Sequence, residues 1–237
     1  EFGDLAGAIG DHQVVHADNE EDARKLAPDC QVILGHFPES VTAVATNLRW
    51  IQSFSAGMDK FLYPEIIERE EVTVTNMAGL YAPQGGEHAW ALLLALARGL
   101  LPSIQNMAER SWGGGGRPVI EITRSTLGII GLGGFGLETL QRAAGYDMRV
   151  LALDPVRLEP PAGVEQVRPP TTENLQWLLS EADAVVVGCP LTAETHHMIG
   201  ADELSAMKQS AYLVCVSRGG IIQEDALADA LHRVREL

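Results

Sequence analysis

Between residues 131 and 136 the chain reads Gly131-Leu132-Gly133-Gly134-Phe135-Gly136, the spacing G-x-G-x-x-G. Each glycine has a physical use in such a run. Gly131 permits a tight turn, Gly133 lets the backbone approach a pyrophosphate, and Gly136 lets the following helix pack close to the preceding strand. The unsatisfied N–H groups and partial positive charge of that helix's first turn suit phosphate. Asp154 closes the next strand candidate. Its carboxylate can accept hydrogen bonds from ribose hydroxyls and would repel a 2′-phosphate, so the pattern favours NAD over NADP. The alternative is a structural glycine turn that binds nothing. A second group is Ser217-Arg218-Gly219-Gly220, which follows the apolar run 211–216. In a doubly wound sheet ligands sit outside the carboxyl ends of the strands, which puts Arg218 at the same mouth. A guanidinium there can hold a carboxylate through two parallel hydrogen bonds. The plainer alternative for Arg218 is an ion pair with a surface acid.

Other chemistries find no residues to carry them. A short-chain dehydrogenase needs Tyr-x-x-x-Lys, and four residues before Lys25, Lys60 and Lys208 stand Glu21, Ala56 and Leu204. Cys30, Cys189 and Cys215 are far apart with no C-x-x-C pair, so no zinc site, no other metal site and no disulfide framework is expected. Reduced thiols fit a cytoplasmic protein. The net charge of −15 argues against a nucleic-acid partner and against docking on anionic lipid. The most apolar stretch, residues 89–101, contains Arg98 and is too short to span a bilayer. No basic segment followed by an apolar one opens the chain, and the first residue is not Met, which leaves the true start open.

Positioning these groups requires alternating strands and helices. In residues 1–83 the apolar or β-branched runs 31–35, 50–54 and 72–75 predict short strands, with a helix over 64–70. An Ala- and Leu-rich helix is expected over 84–112, stopped by the glycines 113–116, which with Pro118 form the clearest linker. Strands over 126–131, 149–153, 184–188 and 211–216 then alternate with helices near 134–146, 173–180, 201–207 and 223–236. Short continuous apolar strands between helices imply a parallel sheet covered on both faces. The expected architecture is therefore α/β, with a Rossmann doubly wound sheet in the second half.

Several segments in order strengthen this reading. Thr126 to Gly136, Val150 to Pro155, Cys189-Pro190-Leu191-Thr192-Ala193-Glu194-Thr195 and Met207 to Leu227 resemble successive signatures of the D-isomer-specific 2-hydroxyacid dehydrogenases. Asn47 to Gln52, Ser55-Ala56-Gly57-Met58-Asp59, Val74-Thr75-Asn76 and Glu87-His88-Ala89 also match. The resemblance implies a substrate-binding domain over 1–84, flavodoxin-like, and an NAD domain over 85–237, both incomplete. It implies that the amides of Ser55, Ala56 and Gly57 meet the substrate carboxylate, with Ala56 also near the cofactor. Gly134 and Phe135 would cap the pyrophosphate, and Asp154 would hold the adenosine ribose. Cys189, Pro190 and Thr195 would line the adenine side, and Val216 and Ser217 the nicotinamide end. Arg218 would be the catalytic arginine that orients a 2-keto acid and polarises its carbonyl.

The family's acid/base histidine and its glutamate would lie past Leu237, and its first strand before residue 1, so the resemblance implies a chain cut short at both ends. As written, the chain is expected to lack a matched proton step and to leave 211–216 as an apolar edge. His88, His196, His197 and His232 do not take the missing role. Cys215 stands where Asn is common in the family, and Asp147 where Gly usually precedes the second strand. The expectation is an oxidoreductase that moves a hydride between NAD(H) and a small 2-hydroxy or 2-keto acid, as a cytoplasmic homodimer joined through the 85–112 region. The alternative is an NAD-binding sensor or corepressor-like interaction protein on the same fold.

Overall fold

The computed structural model describes residues 10–112 and 119–235. The glycine linker 113–116 with Pro118, and residues 1–9, lie outside the described residues. The chain forms two compact units, Glu1–Ala78 and Gly79–Leu237. The division therefore falls before residues 79–84, which the sequence assigned to the first domain.

In the first unit, helix α1 (Glu20–Leu26) precedes strand β1 (Val32–Leu34), and α2 (Glu39–Thr42) leads to β2 (Trp50–Gln52). Helix α3 (Pro64–Ile67) leads to β3 (Thr73–Thr75), and the three strands pair in parallel in the order β1-β2-β3. Successive side chains alternate faces. Ile33, Ile51 and Val74 enter a core with Phe37, Val41, Leu48 and Ile66, while Val32 and Trp50 on the other face are 43% and 40% exposed.

The second unit opens with α4 (Ala82–Ala97) and α5 (Leu100–Ala108). The single helix expected over 84–112 is thus two helices, bent by 68° at the break. Gly99 sits there in the left-handed region at φ 59°, which glycine adopts without steric cost, and Pro102 has no N–H to carry the α4 hydrogen-bond pattern through. Strand β4 (Thr126–Ile130), helix α6 (Gly134–Ala143), strands β5 (Arg149–Leu153) and β6 (Gln166–Arg168), helix α7 (Thr172–Glu181), strand β7 (Ala184–Val187), helix α8 (Ala201–Ala206), strand β8 (Tyr212–Cys215) and helix α9 (Glu224–Arg235) follow.

The five strands are all parallel, in the order β6-β5-β4-β7-β8. Counted from β4 this is 3-2-1-4-5, the Rossmann order, and it reverses direction at β4. Leu127, Ile129, Val150 and Val186 face a core built with Trp90 and Leu93 of α4. Ile130, Leu151, Val185 and Val187 face the opposite core with Leu175, Leu178 and Leu179 of α7. Both faces are covered, which is why β4 and β7 are buried throughout rather than alternating. Among the described residues no single helix is long and apolar enough to cross a membrane.

Candidate functional site

The carboxyl ends of β4 and β7 lie side by side where the strand order reverses. The glycines after β4 are placed as their spacing requires. Gly131 turns the chain at φ 95°, and a Cβ there would lie 2.8 Å from the Cys189 backbone nitrogen. Gly136 packs so closely that a Cβ would lie 2.0 Å from the Gly131 carbonyl oxygen. A Cβ on Gly133 would instead meet nothing within 4 Å. So two glycines close the turn against protein, and the third leaves open space beside the first turn of α6. Gly133 caps that turn, and Gly134 and Phe135 are its first two residues. An anionic pyrophosphate fits such an opening, where helix N–H groups lack intrahelical partners.

Asp154 is 9% exposed at the end of β5. One carboxylate oxygen accepts the Leu132 N–H at 2.8 Å, and the other accepts those of Val156 and Arg157 at 2.9 and 2.7 Å. Burial opposes its charge, but donation from the Arg157, Val156 and Leu132 amides outweighs it and holds the carboxyl below its usual range. A carboxylate has about four lone-pair positions, so capacity remains at Oδ2 for one further donor. The sequence marked Asp154 as a ligand for ribose. The structure adds that it ties the glycine turn to β5.

After β7, Cys189 is buried, and burial together with the nearby Cys215 pushes its thiol up to about 11. Thr195 accepts the Thr192 N–H and donates to the Pro190 carbonyl, both at 2.7 Å, so its hydroxyl shapes the Pro190–Thr195 loop. Val216 donates from its amide to Val187 at 3.2 Å, and the Ser217 hydroxyl donates to the same carbonyl at 3.4 Å, extending the β7–β8 pairing. Arg218 is exposed, with Nη1 donating to the Ser217 carbonyl at 2.9 Å. The following loop is stitched to 197–199 by the His197 N–H to the Gly220 carbonyl and the Ile199 N–H to the Ile221 carbonyl. The strands thus gather Gly131, Gly133, Gly134, Phe135, Gly136, Asp154, Cys189, Pro190, Val216, Ser217 and Arg218 at one sheet end.

Ser55, Ala56 and Gly57 belong to the first unit, after β2. Their carbonyls are all occupied: Met77 N–H donates to Ser55, the Asn76 amide to Ala56 at 2.9 Å, and the Ser55 hydroxyl to Gly57 at 2.9 Å. The Ser55 N–H itself donates to the Ser53 hydroxyl at 3.1 Å. The Ser55 N–H thus has a protein acceptor in this structure. Among the described residues the N–H groups of Ala56 and Gly57 donate to no protein acceptor. Fixed carbonyls with open amides make a loop suited to a carboxylate.

Two contributors escaped the sequence. Asn76 holds the Ala56 carbonyl, and its own Oδ1 accepts the Ala78 N–H at 3.3 Å. An Asn directly after a β-branched run was the available signal. Strand β6 also escaped, since only Val167 of its three residues is buried and it offers no apolar run.

Residues 90–235 match the family model described as D-isomer specific 2-hydroxyacid dehydrogenase, NAD binding domain. The chain is 34% identical over 214 residues to a glyoxylate reductase of Korarchaeum cryptofilum, covering 86% of this chain and 62% of that one. It is 31% identical to a hydroxypyruvate reductase of Thermotoga maritima, covering 88% of this chain and 67% of the relative. Among solved structures, a D-isomer specific 2-hydroxyacid dehydrogenase family protein from Aeromonas salmonicida superposes with a TM-score of 0.83 at 30% identity, over 96% of this chain and 72% of that one. A D-lactate dehydrogenase from Aquifex aeolicus, complexed with NAD and lactic acid, gives 0.74 at 25% identity, over 89% and 63%. The chain thus spans roughly three fifths to two thirds of the length of the curated relatives named here.

Proposed function

Because the chain belongs to the D-isomer specific 2-hydroxyacid dehydrogenases, we propose that the protein transfers a hydride between NAD(H) and the 2-carbon of a small 2-hydroxy or 2-keto acid. The observation that carries this reading is the gathering of a glycine cradle, a buried aspartate and an exposed arginine at the carboxyl ends of β4, β5 and β8. NAD(H), when bound, supplies or accepts the hydride. Gly131, Gly133 and Gly136 give the pyrophosphate its opening, the amides of α6's first turn bind it, and Asp154 accepts a ribose hydroxyl. Cys189, Pro190 and Thr195 line the adenine side, and Val216 and Ser217 flank the nicotinamide. Arg218 grips the substrate carboxylate and polarises its carbonyl. In the first unit, the loop Ser55, Ala56 and Gly57 offers backbone amides to a substrate carboxylate.

In this reading the first unit is the substrate-binding domain, of flavodoxin-like type, and the protein works in the cytoplasm. The relatives' names make glyoxylate and hydroxypyruvate the first substrates to try. A homodimer joined through the 85–112 region is supported by the apolar face of α5, where Leu101, Ile104 and Met107 are 66%, 61% and 78% exposed. Sedimentation is expected to show two chains, and a monomer at micromolar concentration would remove the dimer.

The functional test is loss of NADH absorbance by the full chain with glyoxylate, hydroxypyruvate and pyruvate. Consumption with at least one is expected. Tight NAD binding with no turnover on any 2-keto acid would favour the sensor reading instead.

A further inference from the structure

The first turn of α6 is held from outside the glycine cradle as well as from within it. Phe135, the second residue of that turn, lays its ring directly on Gly85 of α4. A Cβ on Gly85 would lie 2.3 Å from two ring carbons and 2.9 Å from Cγ, the ring atom nearest the backbone. One residue on, a Cβ at Gly86 would lie 2.4 Å from the Glu138 Cβ and 3.0 Å from its carbonyl carbon. Real Cβ atoms do not approach other atoms this closely, so a side chain at either position forces its neighbours on α6, or α4 itself, to shift.

The opposite side of Phe135 is also bounded. Its Cβ lies 3.4 Å from where a Gly188 Cβ would be, at the end of β7. Phe135 thus meets α4 through its ring and the end of β7 through its Cβ. Arg142, two turns along α6, closes the same seam. It bonds Glu138 at 2.7 Å and reaches the Pro83 carbonyl at 3.4 Å and Glu87 at 3.5 Å.

We infer that Gly85 is a positioning residue for the dinucleotide: through Phe135 it sets where the first-turn amides of α6 stand relative to the cofactor's pyrophosphate. A methyl group at 85 must push Phe135 away, and the backbone that would carry Phe135 with it is the backbone whose N–H groups face the phosphates. A glycine pair near the start of a helix is otherwise unfavourable, because glycine is a poor helix former, and an alanine here would strengthen α4 if space were the only concern. The inference rests on NAD being the ligand of this site, and the experiment separates the two.

NAD binding is measured by calorimetry on the full chain, beside thermal unfolding without ligand. Wild type is expected to bind NAD; no binding would overturn the proposed function and this inference with it. Gly85→Ala is expected to raise the NAD Kd by about tenfold, the scale on which overpacking a close contact acts. Leu93→Ala, which opens a cavity farther along α4, should lower Tm and leave the Kd alone. Phe135→Ala removes the obstacle, so adding Gly85→Ala to it should change the Kd by less than about twofold, against about tenfold in wild type. This last comparison holds even where Gly85→Ala alone fails to fold. Wild-type NAD affinity in Gly85→Ala, or a full tenfold effect of Gly85→Ala retained in the Phe135→Ala background, would overturn the inference.

Discussion

The two units shape the loops proposed to hold ligands by different means. In the second unit the loop after β4 is shaped by missing atoms: Gly131 and Gly136 leave no room for a Cβ, and Gly133 leaves room that protein does not fill. In the first unit the loop after β2 is shaped by hydrogen bonds, with three carbonyls satisfied by Met77, Asn76 and Ser55. The sheets behind them differ in the same sense. Every residue of β4 and β7 is buried, whereas β1 and β3 contain no buried residue and β2 one. A loop set by packing on a dry sheet responds steeply to one added carbon. A loop set by polar contacts on a half-open sheet loses its geometry one bond at a time.

The largest expected effect tests the steric half of this contrast. Gly136→Ala places a Cβ against the Gly131 carbonyl and should destabilise the second unit by about 3 kcal/mol, the upper range for overpacking. Denaturant unfolding followed through Trp90 and Trp177 would measure it. Gly133→Ala, with open space around it, should leave stability within about 0.5 kcal/mol yet weaken NAD at least about tenfold. Equal stability losses in the two variants would break the comparison.

Next in size is Arg218→Lys. The ammonium keeps the charge but loses the planar fork, so kcat/KM should fall by about tenfold or more, about 1.4 kcal/mol in the transition state. NAD affinity should change little. Unchanged kinetics would remove Arg218 from the proposed chemistry.

Asp154 sharpens the contrast because it combines both devices. Asp154→Ala should weaken NAD by about 1–2 kcal/mol, and wild type should bind NAD more tightly than NADP. Equal or tighter NADP binding would contradict the role given to this carboxylate. Its pH dependence has a definite sign. Burial opposes the charge of Asp183 as well, but Lys208 at 2.8 Å and the Thr126 N–H at 2.8 Å outweigh it and lower its pKa. A carboxyl whose folded pKa lies below its unfolded value stabilises the fold fully above the unfolded value, about 3.9, and loses that contribution as pH falls through the folded one. Asp154 and Asp183 are both of this kind, so acid should unfold the second unit through them below about pH 4. Replacing both with Asn should flatten the acid limb of Trp90 and Trp177 unfolding and leave that of Trp50 in place.

The smallest expected effect belongs to the first unit. Asn76→Ala frees the Ala56 carbonyl and should raise the KM for a 2-keto acid by about fivefold, about 1 kcal/mol, with the NAD Kd unchanged. A loss as steep as that of Gly136→Ala would show that this loop, too, is set by packing.

Much of the second unit was legible because its signals are local. Runs such as Leu127–Ile130 and Ala184–Val187 carry no polar side chain, and that pattern needs only a sheet covered on both faces. Strand β6 was not legible, since one buried Val167 between two polar residues carries no periodicity. The break in the 84–112 helix was present as Gly99 and Pro102, but Gly is tolerated inside many helices and settles a break only when packing uses its left-handed turn.

The sequence by itself determined the glycine cradle, because freedom from a Cβ and access to positive φ are properties of the residue, whatever surrounds it. It determined likewise that an arginine and an aspartate would stand at the ends of strands. Only the tertiary structure decided that Asp154 spends three of its acceptor positions on backbone amides, that Asn76 holds the Ala56 carbonyl, and that Gly85 receives the ring of Phe135. The amides that hold Asp154 depend on how two loops fold, and the other two contacts join residues far apart in the chain. Which side chain fills a given space depends on how helices and strands pack, and no pattern of neighbouring residues carries that information.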